Sequence, residues 1–334
     1  MQRLRIVFCG TPKFAVPSLN QLLEQPEFEI LAVYTQPDRP RGRGQEISFT
    51  PVKEVALAAK IPVHQPAKIR APEVEQELRA LAPDVIVIIA YGQIIPARLL
   101  DIPKYGWINL HASLLPKYRG AAPINWAIVN GETKTGNTTM RIDAGMDTGE
   151  MLLQQELTIG ADETAPELMG RLADAGGPLM VETLRGIAAG TIVGRAQNHA
   201  EATTVLILKR EDGLIDWSMS ARQIYNRMRG FKPWPDAYTQ FRSQTCHLSG
   251  VPVSKDEGDA ELADGFRKPS LHNAALRDDE PGTILSGGGK VRVVCWQSSL
   301  LELINVKLEG RKQVSAAEFA NGARLQARER FGKR

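Results

Sequence analysis

The stretch VIVIIA, residues 85–90, is continuously apolar and consists mostly of β-branched residues. Because such a strand has no polar face, both of its faces must be covered, as in a central strand of a parallel sheet. It is much shorter than the roughly 20 apolar residues that a membrane-spanning helix needs. The stretch therefore predicts a buried strand with helices packed on both sides.

Strand-like and helix-like segments alternate around this run. Further strands are predicted at 4–9, 30–34, 107–110, 138–142 and 151–157, and helices at 51–60, 72–81 and 163–189. This alternation predicts a doubly wound α/β fold with a mostly parallel, Rossmann-like sheet. The turn after the first strand, CGTPKFA at 9–15, lacks the three-glycine spacing of a dinucleotide site, which argues against NAD.

The rest of the chain predicts a second, smaller domain. Residues 191–205 are polar and contain glycine, which is typical of a linker. Short strands such as 291–296 follow, together with helices at 216–229 and 316–320, which favours a small β-barrel of the OB type. We therefore expect a first domain at 1–190, a linker at 191–205 and a barrel domain at 206–334.

The composition is that of an ordinary globular protein. Of the 334 residues, 43% are hydrophobic and 24% are charged, which excludes a disordered or fibrous chain. The three cysteines are scattered, so we expect buried free thiols rather than disulfides or a zinc site. Residues 1–10 lack the long apolar region of a signal peptide, which predicts a cytoplasmic protein. In residues 209–334 basic residues outnumber acidic ones by 21 to 16, which fits a phosphate-bearing partner.

Asn109 and His111 stand where a predicted strand ends. Residues i and i+2 of a strand point to the same face, so the two side chains would lie side by side if strand geometry continues through them. Ligands of open α/β sheets bind beyond the carboxyl ends of the strands. Alternatively, Asn109 caps a turn and His111 is an ordinary structural histidine, and the pair alone does not decide between the two.

Two neighbouring segments favour a site. SLLPKYRG, residues 113–120, mixes loop-forming and apolar residues, as a wall around a flat organic ligand does. Asp147 lies between Gly145 and Gly149, in a loop that can approach another element closely. The alternative for Asp147 is a surface carboxylate that closes an Asx-turn in its own loop.

A third segment, DRPRGRGQ at 38–45, carries three arginines and two glycines and is too polar for a core. Its guanidinium groups can bind phosphates or bases of a nucleic acid. A solvated loop is the other interpretation. Lys209 and Arg210, at the start of the second domain, are further candidates for contacts with a nucleic-acid backbone, with the same alternative.

Taken together, these motifs resemble the methionyl-tRNA formyltransferase family over nearly the whole chain. The central signature is shared by other enzymes that use 10-formyltetrahydrofolate, whereas the Arg-Gly-Arg-Gly loop and the second domain point to tRNA. The matching segments are FCGTP at 8–12, TQPDRP at 35–40, NLHASLLP at 109–116, YRG at 118–120, GMDTG at 145–149, IDW at 215–217 and PWP at 233–235.

The resemblance implies transfer of a formyl group from 10-formyltetrahydrofolate to the α-amine of methionine on initiator tRNA. Asn109 and His111 would donate hydrogen bonds to the formyl oxygen as it gains negative charge. Asp147 would orient His111, favour its protonated form and help to remove the proton of the amine. The reaction needs neither a metal nor a covalent intermediate, and we expect a monomer without membrane contacts.

The same resemblance assigns binding residues. Ser113, Leu114, Leu115 and Pro116 would line the folate site, and Tyr91 and Gly92 would border the pterin. A plain aromatic at the end of a strand is the alternative for Tyr91. Arg43, Arg41 and Lys209 would contact tRNA.

This chain departs from the family where it has Thr204-Val205-Leu206, and residues 252–282 match no pattern of the family. These departures concern the contacts of the linker with tRNA. A formyltransferase or hydrolase that acts on a small molecule is the main rival hypothesis. The other rival is an inactive tRNA-binding protein, which the joint presence of Asn109, His111 and Asp147 disfavours.

Overall fold

The computed structural model describes residues 3–41, 46–254, 280–326 and 329–332. The chain forms two compact units. Unit 1 comprises Met1–Ile124, Thr133–Gly160 and Glu167–Leu206, and unit 2 comprises Asn125–Glu132, Ala161–Pro166 and Ile207–Arg334.

The main sheet of unit 1 contains seven strands within the described ranges. The strands of unit 1 are β1 (Leu4–Gly10), β2 (Phe28–Tyr34), β3 (Arg39–Arg41), β4 (Glu46–Ser48), β5 (Val63–His64), β6 (Val85–Ile89), β7 (Trp107–His111), β8 (Arg119–Gly120), β9 (Lys134–Arg141), β10 (Met151–Thr158) and β11 (Thr204–Val205). The sheet order is β10-β9-β7-β6-β1-β2-β5. The neighbouring strands β7, β6, β1, β2 and β5 are parallel. Strand β9 is antiparallel to β7, and β10 is antiparallel to β9. The predicted fold, a doubly wound and mostly parallel sheet, is confirmed.

Helices cover both faces of this sheet. The helices of the chain are α1 (Val16–Leu23), α2 (Pro51–Ala58), α3 (Pro72–Leu81), α4 (Ala97–Leu100), α5 (Pro123–Val129), α6 (Ala165–Ala189), α7 (Ala221–Gly230) and α8 (Ala316–Ala323). Val85, Val87 and Ile89 of β6 pack in one core with residues of α1, α2 and α6. Ile86 and Ile88 pack in the opposite core with residues of α3 and α4. The run at 85–90 is therefore a strand buried on both faces, as its sequence predicts.

The carboxyl ends of the central strands meet at one edge of the sheet. Thr11 follows β1, Gln36 follows β2 and Tyr91 follows β6. The Thr11 hydroxyl and the Gln36 amide both donate to the Tyr91 carbonyl oxygen, over 3.1 and 3.0 Å. These hydrogen bonds hold three strand ends together beside the end of β7.

Unit 2 contains an antiparallel sheet. Its strands are β12 (Tyr238–Phe241), β13 (Gln244–Pro252), β14 (Ile284–Gly287), β15 (Lys290–Val294), β16 (Leu300–Leu308) and β17 (Val314–Ser315). For the part of unit 2 that the structure describes, the order is β12-β13-β16-β15-β14, with β17 on β16. Residues of α7 and α8 join the apolar core of this sheet. The architecture agrees with the predicted small barrel.

Local hydrogen bonds explain where the predicted helix boundary was wrong. The pattern predicts a helix from Asp216, but α7 begins at Ala221. The Ser220 hydroxyl accepts from the Gln223 backbone N–H, and the Gln223 side chain accepts from the Ser220 N–H, which forms a capping box. Asp216 instead closes a turn by accepting from the Ser218 N–H. The helical pattern therefore began one turn before the true N-terminus.

All three cysteines are buried free thiols, as expected. Burial raises the pKa of Cys246 and of Cys295 to about 12, and it also raises the pKa of Cys9. Since the thiolate is the reactive form, none of the three is suited to act as a nucleophile. No helix in the described ranges is both long and apolar enough to cross a membrane.

Leu78 of α3 tests the packing of helices on the sheet. Its side chain is fully buried, whereas Leu57 of α2 is 48% exposed. We expect Leu78→Ala to lower the free energy of unfolding by about 2–5 kcal/mol, because it leaves a cavity. The matched variant Leu57→Ala should change it by less than about 0.5 kcal/mol. Chemical denaturation measures both values, and equal losses would contradict the assignment of this core.

Candidate active site

Strand geometry continues through both polar residues of β7. Asn109 pairs with Ile88 of β6 on one side and with Met140 of β9 on the other, and His111 pairs with Thr138. The two side chains therefore share one face of the strand. His111 is buried and Asn109 is partly exposed. The two side chains therefore lie side by side, as the i, i+2 spacing predicts for a continuous strand.

Two oxygen atoms lie near the imidazole ring of His111, and one of them accepts a hydrogen bond from it. Its Nε2 lies 2.8 Å from the Tyr118 carbonyl oxygen. A carbonyl only accepts hydrogen bonds, so Nε2 carries the hydrogen of this bond. Nδ1 lies 3.7 Å from Oδ2 of Asp147, which is longer than a direct hydrogen bond. The ring is thus held through Nε2, and Nδ1 faces the Asp147 loop.

The Asp147 carboxylate reaches out of its own loop. Its Oδ2 accepts from the backbone N–H of Gly120 at 2.8 Å, and its side chain is 21% exposed. The Asx-turn of this loop is made by Asp143, which accepts from the Gly145 N–H and from the Thr148 hydroxyl. The alternative role considered for Asp147 thus belongs to Asp143.

Backbone conformation makes this reach possible. Asp147 has φ +52°, in the left-handed region that aspartate tolerates better than most residues. Gly120 has φ +96°, and a Cβ there would lie 2.5 Å from the Val205 carbonyl oxygen. At Gly149 a Cβ would collide with the Arg141 carbonyl oxygen. Both glycines therefore permit close approaches that place the Asp147 carboxylate beside His111.

A buried pair that the sequence did not reveal supports the same loop. The Arg119 guanidinium donates twice to Oε1 of Gln197, over 3.0 and 2.7 Å, and lies 3.2 Å from Nδ1 of His199. The Gln197 amide donates to the carbonyl oxygens of Asp147 and Gly149, both at 2.8 Å. Arg119 and Gln197 are thus positioning residues for the Asp147 loop.

Part of the segment predicted as a linker also takes part in this arrangement. Strand β11 (Thr204–Val205) pairs in parallel with β8 (Arg119–Gly120). The Thr203 hydroxyl accepts from the Tyr118 N–H at 2.8 Å. The chain near residue 204 is therefore fixed against the turn that contacts His111 and Asp147.

The predicted folate wall is a turn fixed to β9. The Ser113 hydroxyl donates to the Lys117 carbonyl oxygen at 2.6 Å, and the Leu115 N–H donates to the Thr138 hydroxyl at 3.1 Å. Ser113 and Leu115 are buried, whereas Leu114 and Pro116 are only partly buried. Leu114 and Pro116 are therefore the apolar side chains of this turn that a ligand can reach.

The residues predicted to border a pterin occupy the edge of the sheet in different ways. The Tyr91 ring is 1% exposed and packs in the core behind the sheet, and this burial raises its pKa. Its carbonyl oxygen, in contrast, lies at the strand edge and accepts from Thr11 and Gln36. Gly92 follows with φ +86°. Tyr91 is therefore enclosed and holds Thr11 and Gln36 at this edge, whereas Gly92 is exposed there.

The three residues predicted to contact tRNA lie apart from this group in the sequence. Arg41 ends strand β3, and Arg43 lies outside the described residues. Lys209 is an exposed residue of unit 2 whose backbone N–H donates to Asp212 at 2.7 Å.

For the described ranges, no group of three or more His, Cys, Asp or Glu residues has the arrangement of a metal site.

Comparisons with known proteins agree on one family. The Formyl transferase family model matches residues 4–184, and the model of the Formyl transferase C-terminal domain matches residues 207–324. The methionyl-tRNA formyltransferase of Solibacter usitatus is 49% identical over 331 residues, which are 99% of this chain and 99% of that protein. The methionyl-tRNA formyltransferase of Geobacter sulfurreducens is 47% identical over 100% of this chain and 98% of its own length.

Solved structures share the fold at lower identity. The sugar 3N-formyl transferase WlaRD, crystallised with dTDP and 5-N-formyl-THF, has a TM-score of 0.62 and 16% identity, and the match covers 93% of this chain and 100% of that chain. An N-formyltransferase from Helicobacter canadensis has a TM-score of 0.60 and 18% identity, over 91% of this chain and 99% of that chain. The same architecture therefore carries amine formylation in other proteins.

Gln197 tests the support of the Asp147 loop. We expect Gln197→Ala to lower the free energy of unfolding by about 1–3 kcal/mol, because the buried Arg119 loses its acceptor. The amide hydrogen of Gly120, which Asp147 accepts, should exchange with solvent faster by roughly 5- to 10-fold, as expected for the loss of about one hydrogen bond of support. Hydrogen exchange followed by NMR measures this rate. Gln21→Ala is the control, since its amide donates to the nearby Glu24, and unchanged protection of Gly120 in Gln197→Ala would remove the positioning role.

Proposed function

Because the chain belongs to the methionyl-tRNA formyltransferase family, we propose that Asn109, His111 and Asp147 form the site of its formyl transfer. The enzyme transfers a formyl group to the α-amino group of methionine on initiator tRNA, which gives N-formylmethionyl-tRNA for translation initiation. The observation that carries this function is the match to named relatives at nearly half identity over both domains.

The formyl donor of this proposal is 10-formyltetrahydrofolate. Two structures with the same fold were solved with folates, one with 5-N-formyl-THF and one with tetrahydrofolic acid. The turn Ser113, Leu114, Leu115 and Pro116 offers an apolar wall for a flat pterin ring, with Leu114 and Pro116 accessible. Exposed Gly92, which follows the buried Tyr91 at the end of β6, is assigned to the border of the pterin.

Asn109 stabilises the charge that develops during transfer. As the α-amine attacks the formyl carbon, the carbonyl oxygen becomes an oxyanion. No hydrogen-bond partner of the Asn109 side chain lies among the described residues, and the side chain is partly exposed on β7, so its amide can donate to that oxygen. A preorganised donor in such a position stabilises a transition state by roughly 3–4 kcal/mol.

His111 can donate to the same oxygen through one nitrogen only. Its Nε2 is engaged by the Tyr118 carbonyl oxygen at 2.8 Å, so Nδ1 is the nitrogen that faces the reaction. A ring that donates from both nitrogens is the imidazolium, and the Asp147 carboxylate 3.7 Å from Nδ1 provides the opposite charge. The hydrogen on Nδ1 lies in the plane of the ring, so this proposal places the formyl oxygen in that plane, beside the Asp147 carboxylate.

Asp147 also accepts the proton that the amine must lose. The attack forms a bond between the amine nitrogen and the formyl carbon, and collapse of the tetrahedral intermediate breaks the bond from that carbon to N10 of the folate. One proton leaves the amine and one reaches N10, so protons balance over the step. The partly exposed Asp147 carboxylate can move this proton directly or through one water molecule.

Binding of tRNA is assigned to basic residues outside this group. Arg41 ends strand β3, Arg43 follows it in the sequence outside the described residues, and Lys209 stands at the start of the part of unit 2 that follows Leu206. Their guanidinium and ammonium groups suit phosphate oxygens. We also propose that the enzyme acts as a monomer in the cytoplasm, where translation supplies its substrate.

A comparison of three acceptors tests the function. Purified enzyme receives 10-formyltetrahydrofolate with charged initiator tRNA, charged elongator tRNA or free methionine, and formyl transfer is measured. We expect fast formylation of the initiator species and little of the other two, because the tRNA contacts supply binding energy that free methionine lacks. Equal formylation of all three would refute the tRNA specificity and favour a small-molecule formyltransferase.

Variants of the β7 residues test the mechanism. Asn109→Ala should lower kcat by about 10²–10³, as loss of an oxyanion donor does, and His111→Ala should lower it at least as much. Affinity for tRNA should stay nearly constant in both variants, because neither side chain is assigned to tRNA. The controls are Asn20→Ala on α1 and His64→Ala on the edge strand β5. Normal turnover by His111→Ala would disprove the proposed mechanism.

A further inference from the structure

A groove of about 450 Å³ lies on unit 2 and includes the Pro233-Trp234-Pro235 segment. Segment 232–236, between α7 and β12, forms one side, and side chains of β13 and β16 form the floor. The polar and aromatic residues that line it are Lys232, Trp234, Asp236, His247, Ser249, Asn305, Lys307 and Gln313.

Trp234 presents a large aromatic surface to this groove. Its side chain is 52% exposed, which is unusual for a tryptophan in a folded domain. Pro233 and Pro235 flank it, and the ring of proline restricts the backbone at both positions. The indole is therefore exposed on a segment with little conformational freedom, so stacking on it costs little ordering entropy.

The floor of the groove is a row of polar side chains. In the antiparallel pair β13–β16, His247 lies opposite Lys307 and Ser249 lies opposite Asn305. Residues directly opposite each other in such a pair share one face of the sheet. The Asn305 amide donates to the Ser249 hydroxyl at 3.2 Å, which fixes this pair. The face thus offers amide, hydroxyl and ammonium groups side by side.

The charges in the groove favour an anion. Lys232 and Lys307 are exposed, and no ion-pair partner of either lies among the residues that the structure describes. Asp236 contributes the one carboxylate among the lining residues, and it lies 3.4 Å from Nδ1 of His247. The lining therefore carries two lysines against one carboxylate, beside an exposed aromatic ring.

We propose that this groove binds one unstacked base and the adjoining phosphates of the tRNA substrate, a proposal that rests on the proposed function. Trp234 stacks on the base, Lys232 and Lys307 contact phosphates, and Asn305 with Ser249 meets a ribose hydroxyl. Aromatic stacking beside free cations is the combination by which proteins hold single-stranded nucleotides. The 2′-hydroxyl, as donor and acceptor, suits the amide and hydroxyl on the floor.

Binding of uncharged initiator tRNA, measured by fluorescence anisotropy, tests the groove without catalysis. Trp234→Ala should weaken binding by roughly 10-fold, which is in the range measured for loss of one stacking contact. The matched control is Trp296→Ala, because Trp296 is 51% exposed in the same unit and does not line the groove. The control should bind like the wild type.

A second variant removes charge and keeps the indole. The double variant Lys232→Ala/Lys307→Ala changes two exposed side chains, so the fold should be retained. It should weaken binding and reduce the slope of log Kd against log salt concentration by about 1 to 2. Lys290→Ala is its control, because Lys290 is already paired with Glu302 at 3.5 Å.

Formylation assays separate this proposal from the proposed function. Both groove variants should keep the wild-type kcat at saturating tRNA and raise KM by the factor seen in binding. If both variants bind tRNA like the wild type, the groove proposal is wrong even when formylation is normal. If the wild type binds tRNA through the groove but transfers no formyl group, the proposed function fails and the groove stands.

Discussion

The hydrogen bond from the Gly120 N–H to the Asp147 carboxylate joins two turns that are 27 residues apart in the chain. The first turn also provides the Tyr118 carbonyl oxygen that holds Nε2 of His111, and the second brings the Asp147 charge to 3.7 Å from Nδ1. Because both contacts to the imidazole come from these two turns, the orientation of the ring depends on their distance from each other. A β-strand alone would place His111 at the sheet edge but would not orient its nitrogens.

The closeness of the two turns has a conformational cost, since Asp147 adopts a positive φ and Gly120 lies against the Val205 backbone. Long-range contacts offset this cost. Strand β11 pairs with β8 behind Gly120, and Gln197 donates to the carbonyl oxygens of Asp147 and Gly149. Arg119 in turn donates to the Gln197 amide oxygen rather than to Asp147. The carboxylate of Asp147 therefore keeps its negative charge available to His111, while a neutral amide holds the loop in place.

The sequence indicates the strands and the Asn109–His111 pair, but it does not indicate the residues that support the Asp147 loop. The apolar run at 85–90 predicts the central strand because burial on both faces leaves a local signature, and the alternation of strands and helices predicts the doubly wound sheet. Asn109 and His111 could be paired because the period of a strand is two. Gln197 carries no such signature, since its partner Arg119 is 78 residues away and the intervening chain decides whether they meet. The start of α7 was missed for a smaller reason, because the capping box at Ser220 outweighs the helical pattern before it.

The two units divide the energetics of a reaction on a large substrate. In the proposed mechanism Asn109 and His111 act on a charge that exists only in the transition state, so they would raise kcat. Contacts far from the reacting atoms are the same before and during transfer, so they lower KM and leave kcat unchanged unless they align the substrate. A stacking groove on unit 2 is a contact of this second kind. The α-amine is common to free methionine and to every aminoacyl-tRNA, so the amine itself cannot distinguish them. In the groove proposal, a base held on Trp234 is a contact that free methionine cannot make.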